Sequence, residues 1–246
     1  MRDIDENDFL EALKHGVART TNLIAEATDY HGGPVMTEYL LTADIAREFI
    51  ERNYPVAVEY HNRMFVNAMT GLKTSQPRKL LRSKRTDVAI IDAGLIPLAL
   101  IEIKIRVKKL NAIKGDLEKI TTTMSLLKAN FASKLIGAVV FQVHIPGARN
   151  RTYAADFKSA AEKVEKSLQA ELSSYAPSRP DFRFTMHPLQ SDDGGVVERE
   201  IEGYGEESAW GAHGHATRYH AIIIRSTRPV PPSTGSFADL RRQRDE

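Results

Sequence analysis

A chain of 246 residues, 42% hydrophobic and 27% charged, is long enough for one large domain or two small ones and too apolar for a disordered tail. Its 15 glycines and 11 prolines exclude a collagen-like or low-complexity chain, and the absence of cysteine excludes disulfide scaffolds, thiolate zinc sites and a cysteine nucleophile. The formal net charge of +2 conceals an uneven split: residues 1–72 hold 6 basic and 12 acidic side chains, residues 73–119 hold 12 and 5, and residues 120–246 hold 16 and 15. A basic segment that dense can hold a polyanion by displacing its counterions, although lysines also serve simply to keep a surface solvated.

Between Asp5 and Tyr30, Phe9, Leu13, Val17, Leu23 and Ile24 recur at helical spacing, and Gly32-Gly33-Pro34 ends the run, so a helical arm is expected over residues 1–35. A second helix is expected from an N-cap at Thr37 through Leu41, Ile45 and Phe49 to Asn53. Tyr54 to Tyr60 reads as a strand, and Thr70 to Ser83, with Lys73, Arg78, Lys79 and Arg82, as a polar loop within reach of phosphate. Arg85 to Ile91 and Leu98 to Ile105 form a β-hairpin signal around Asp92-Ala93-Gly94-Leu95. A helix from Leu110 to Leu127, a strand Leu135–Val143 buried on both faces, a helix Tyr153–Tyr175 and strands Phe182–Met186 and Arg218–Arg225 complete the pattern. Residues 190–215, acidic and glycine-containing, are compatible with a long loop, a weak hairpin or a mobile flap. No composition break divides residues 36–228, which read as one α/β domain followed by a tail at 229–246.

Apolar runs such as 137–141 and 221–224 are far too short to span a bilayer, and Asp3, Asp5, Glu6 and Asp8 stand where a signal peptide carries cations, so a cytoplasmic protein is expected.

The hairpin carries the chemistry. With a two- or four-residue loop Asp87 lies opposite Leu100, and the period of two turns Asp87, Leu100, Glu102 and Lys104 to one face, with Glu102 diagonal to Asp87. Val88, Ile90, Ile101, Ile103 and Ile105 then lie against a helix, and the charged trio sits at the rim where the hairpin opens. Two carboxylates with a lysine beside them suit a hard divalent cation. The tripeptide alone is cheap, as Asp156-Phe157-Lys158 in a surface helix illustrates; its place in an isoleucine-rich strand gives it weight, because charges there must be paired or bind an ion. The alternative is a charge cluster on an exposed edge strand.

The order of a helix, a strand with Glu59, Arg85-Thr86-Asp87, a hairpin, Ile101-Glu102-Ile103-Lys104, then a helix and a strand resembles the PD-(D/E)XK nuclease superfamily over about residues 36–143. The resemblance implies a restriction-endonuclease-like mixed central sheet flanked by helices, here with an N-terminal helical arm and C-terminal strand additions. It also implies an Mg²⁺- or Mn²⁺-dependent endonuclease or exonuclease in which Asp87, Glu102 and the Ile103 carbonyl hold the metal and Lys104 is the catalytic lysine. Thr86 departs from the proline of the motif's name. Glu38 or Glu59 matches a further family glutamate, and Lys119 and Asp116 match a polar contribution from the following helix. A divalent ion would supply the nucleophile and counter-charge that phosphodiester cleavage needs, with Lys104 positioning the water. Lys84, Arg85, Lys108, Lys109 and Lys114 flank the site as candidate nucleic-acid contacts, with DNA the expected partner and RNA not excluded. A homodimer is suggested by analogy, through the N-terminal helix or the 190–215 segment. A non-catalytic nucleic-acid-binding or protein-interaction module of the same fold is the rival reading.

Other features are expected to be structural: His213, His215 and His220 as surface histidines, Tyr204 and Trp210 as aromatics packed back on the domain, and Arg149 and Arg151 as solvated side chains.

Overall fold

The structure, a computed structural model, describes residues 3–28, 38–68, 81, 84–92, 94, 96–146, 154–194 and 215–229. Six strands form one mixed sheet: β1 (Val56–His61), β2 (Arg85–Ile91), β3 (Pro97–Lys104), β4 (Ile136–Ile145), β5 (Phe182–Gly194) and β6 (His215–Ser226), in the spatial order β1-β2-β3-β4-β6-β5. β1, β2 and β3 are antiparallel neighbours, β4 runs parallel to β3, and β6 and β5 add two antiparallel strands. A parallel pair needs a crossover, which the chain makes through α3 (Asn111–Leu126) and the short α4 (Ala129–Ala132).

The alternation of side chains along the strands divides the core in two. Val88, Ile90, Ile101, Ile103, Ala138 and Val140 face α1 (Glu6–Thr28) and α2 (Glu38–Glu51), where Phe9, Leu13, Val17, Leu41, Ile45 and Phe49 repeat at helical spacing. Ala89, Leu100, Val139 and Phe141 face α3 and α5 (Ala154–Tyr175), against Ile113, Leu117, Ile120, Phe157 and Leu168. β3 and β4 are covered on both sides, which is why their sequences read as almost unbroken apolar runs.

The N-terminal helix does not stand apart as an arm. α1 lies along α2 so closely that a Cβ at Gly16 would come within 2.8 Å of the Ile45 Cα, and Glu6 accepts a 2.8 Å hydrogen bond from Arg225 Nε on β6. β5 is longer than the expected 182–186, and β6 begins before 218; Gly194 pairs with His215, so the described ends of the 190–215 segment are the arms of a hairpin. Residues 195–214, with Tyr204, Trp210 and His213, lie outside the described residues, as do Thr37, Arg149, Arg151, most of 70–83 and the tail from 230.

Candidate active site

The hairpin register differs from the expected one by two residues. Ala89 pairs with Leu100 and Val88 with Ile101, which sets Asp87 level with Glu102 instead of Leu100. The cause is the turn: Asp92 accepts hydrogen bonds from the Gly94 and Ile96 N–H groups at 2.8 and 2.9 Å, and Leu98 is an extra residue between the Ile91–Pro97 and Ile90–Ala99 pairs. An even shift leaves every side chain on its expected face and brings the two carboxylates directly across from each other. The β2–β3 ladder stops at Val88. Beyond it the Ile103 N–H donates to Asp87 Oδ2 at 2.7 Å. A strand residue directs its N–H and C=O to the same edge, so the Ile103 carbonyl also faces this opening.

Glu102 is not at a wet rim, and β3 is an interior strand. The side chain is 1% exposed beneath α3 because Leu117 and Ile120 of that helix cover this face. Its Oε2 accepts a hydrogen bond from the Lys119 ammonium on α3, and Asp116 Oδ1 stands 3.7 Å from the same Nζ. Glu102 Oε1 is buried and has no hydrogen-bond partner among the described residues. Burial pushes the Glu102 pKa up to about 8, against the opposing pull of Lys119. The Asp87 pKa is raised by the same cause, resisted by the Ile103 N–H and the Lys119 and Lys104 charges.

Lys104, at the end of β3, does not reach Glu102; its Nζ donates to Glu38 Oε2 at 3.4 Å, at the start of α2. Burial alone would depress this ammonium, but Asp116, Glu38 and Asp87 outweigh it and hold its pKa above the usual value. The structure thus brings Asp87, Glu102, Lys104, Glu38, Asp116 and Lys119 together. Glu59 bonds to none of them: it is exposed on β1 with φ 51°, 3.8 Å from the exposed Arg85, and only its charge acts on the site, by helping to raise the Asp87 pKa. Ile105 follows the end of β3 and is half-buried, outside the covered row. Lys84 is half-buried before β2, and Lys108 and Lys109 are exposed between β3 and α3. Lys114 instead lines a groove between α3 and α5 with Asn111, Glu171 and Ser174.

One supporting network has no signature in the sequence. Thr86, beside Asp87, donates to Asn62 Oδ1 at 2.7 Å; Asn62 Nδ2 donates to Thr123 Oγ1 at 2.9 Å; Thr123 donates to the Lys119 carbonyl at 2.9 Å. All three side chains are fully buried, and together they fix the start of β2 to the turn of α3 that carries Lys119. Thr86 supplies the first donor of this network.

Of the histidines expected at the surface, His215 and His220 are buried, because β6 starts at His215 and is covered on both faces. His220 Nε2 lies 2.9 Å from Glu165 Oε1 on α5, and His215 Nε2 lies 3.4 Å from Asp192 Oδ2.

Among the described residues there is no cluster of three or more His, Asp or Glu arranged for a metal ion. The donors at Asp87 and Glu102 nevertheless fit a hard cation that keeps part of its water shell, since a buried, unpartnered carboxylate oxygen is the group such an ion satisfies. No described helix is long and apolar enough to cross a membrane. No protein-family model, curated protein or solved structure matches this chain.

Proposed function

We propose that this protein is a PD-(D/E)XK-type nuclease that hydrolyses phosphodiester bonds, in DNA first of all, with Mg²⁺ or Mn²⁺ held by Asp87, Glu102 and the Ile103 carbonyl. The observation that carries the reading is the pair of carboxylates set level across β2 and β3, one of them buried with a free oxygen, on the strand that ends in Lys104. The order of α2, three antiparallel strands, α3 and a strand parallel to the third supports it, because that is the order the resemblance implies. The divalent ion, when bound, supplies a Lewis acid for the phosphate oxygens and lowers the pKa of attacking water.

The chain's own groups do the rest. Asp87 is oriented by the Ile103 N–H at Oδ2, and Glu102 offers its unpartnered Oε1 from beneath α3. Lys104 remains protonated and mobile enough, at 33% side-chain exposure, to leave Glu38 for a phosphate oxygen or the water beside it. Lys84, Arg85, Lys108 and Lys109 extend positive charge along the flanking polyanion.

The test is plasmid cleavage in Mn²⁺ by the wild type, Asp87→Ala and Lys104→Ala. Cleavage by the wild type, lost by about 10²-fold or more in each variant, is expected; undiminished cleavage in both removes the site. One observation favours a second reading, a binding module of the same fold: Lys119 and Glu38 already neutralise Glu102 and Lys104 within the protein. Salt-sensitive DNA binding without cleavage on any substrate selects it.

A further inference from the structure

The two carboxylates of the site each engage one oxygen. Asp87 accepts the Ile103 N–H at Oδ2 and Glu102 accepts Lys119 at Oε2, while Glu102 Oε1 is buried with no hydrogen-bond partner among the described residues. A pair of catalytic ions about 3.5–4 Å apart needs a carboxylate bridging them to offset their mutual repulsion. The second oxygen of Glu102 is the natural bridge, with Asp116 as the outer ligand of the second ion. That place is filled: the Lys119 ammonium stands against Glu102 Oε2 and 3.7 Å from Asp116 Oδ1, a fixed single positive charge between the two carboxylates. It is held there from behind, since the Thr86–Asn62–Thr123 network anchors the backbone of Lys119 to β2.

We infer that Lys119 is a positioning residue that restricts this site to a single divalent cation, occupying with its ammonium the second subsite that Glu102 Oε2 and Asp116 would otherwise offer. The inference rests on the proposed metal-dependent reading and makes it narrower: the chemistry runs on one ion together with Lys104 and Lys119, not on an ion pair. Removing the ammonium while keeping an aliphatic chain of similar volume should open the second subsite, and Arg in its place should keep it closed.

Equilibrium dialysis of the full chain against Mn²⁺ alone, with electron paramagnetic resonance of the bound ion, tests this without reference to activity. The wild type and Lys119→Arg are expected to bind one Mn²⁺ with an isolated-ion spectrum. Lys119→Met is expected to bind two with spin coupling between them, and Lys119→Met combined with Asp116→Asn to return to one. Two ions on the wild type, or a single ion on a folded Lys119→Met, overturns the inference while leaving the metal-dependent reading intact. No Mn²⁺ on the wild type overturns that reading itself. If circular dichroism finds Lys119→Met unfolded, Lys119→Gln takes its place, with the same expected and overturning results.

Discussion

Asp87 and Glu102 stand level with each other on adjacent strands, yet each takes its hydrogen bond from elsewhere, Asp87 from the Ile103 N–H and Glu102 from Lys119. Two carboxylates so placed repel when both ionise, and burial raises the pKa of each, that of Glu102 to about 8. A dication between them relieves both penalties.

Metal should therefore stabilise the fold. A ligand that binds only the native state contributes about 2.7 kcal/mol at a hundredfold excess over its Kd. Thermal unfolding in EDTA and in excess Mn²⁺ should separate by several degrees for the wild type and coincide for Glu102→Gln. The sign of the pH dependence in EDTA follows from the raised Glu102 pKa. Between the ordinary 4.5 and about 8 the folded chain keeps a proton that the unfolded chain has released, so this contribution to stability declines as pH rises through that window. Glu102→Gln should flatten the decline; a profile unchanged by the substitution counts against the burial argument.

The buried chain from Thr86 through Asn62 to Thr123 should be cooperative. Thr86→Val leaves Asn62 Oδ1 without its donor in a fully buried setting, at about 1–3 kcal/mol. Asn62→Ala strands both neighbours and should cost more. Denaturant unfolding of the two single variants and the double is the measurement: a double variant much less destabilised than the sum of the singles marks one network, and simple additivity marks independent bonds.

How far the sequence reveals this site depends on the range of the interaction. The facing of Asp87 and Glu102 follows from the period of two and holds in the observed register, because the three-residue turn and the bulge at Leu98 each shift the pairing by one residue and together by an even number. The bulge itself is invisible, being set by how Asp92 closes the turn. Lys119 is legible as a basic residue on the next helix, but its contact with Glu102 depends on how α3 lies over the sheet. Asn62, Thr86 and Thr123 are ordinary polar residues whose partners are 24 and 61 positions away, and no periodicity marks them. The sequence places His215 and His220 at the surface because no ligand set at a fixed spacing accompanies them, whereas β6 begins at His215, includes His220 and is buried on both faces over residues 215–224.

The close approach of α3 to β4 should make Gly137 intolerant of any side chain. A Cβ there would lie 2.5 Å from Ile120 Cγ2 and 3.1 Å from Ile224 Cβ, with both neighbours fully buried. Overpacking of this kind typically costs about 1–3 kcal/mol. Gly137→Ala should lower the unfolding free energy by that amount in denaturant titration, and because Ile120 follows Lys119 directly, it should also weaken Mn²⁺ binding; a stable variant with wild-type metal affinity would show that α3 is free to move outward.

Acid should destabilise the end of the sheet where β4 runs on past Lys104. His144 on β4 accepts or donates at Nδ1 to Thr217 at 3.0 Å and stacks 6.2 Å from His215. Burial lowers its pKa below 6.5, and the neighbouring His215, Arg106 and Lys108 lower it further. The unfolded chain therefore takes up the proton first as pH falls, so the stability present above 6.5 is lost below it. His220 contributes in the same direction, its depression by burial partly opposed by Glu165. Unfolding midpoints measured from pH 7.5 to 5 should fall for the wild type and fall less for His144→Asn, which retains a hydrogen-bonding group for Thr217 without a titrating ring. Parallel profiles for the two proteins would mean that His144 charges freely in the folded state, and the loss would then be traced to His220 by the same measurement on His220→Gln.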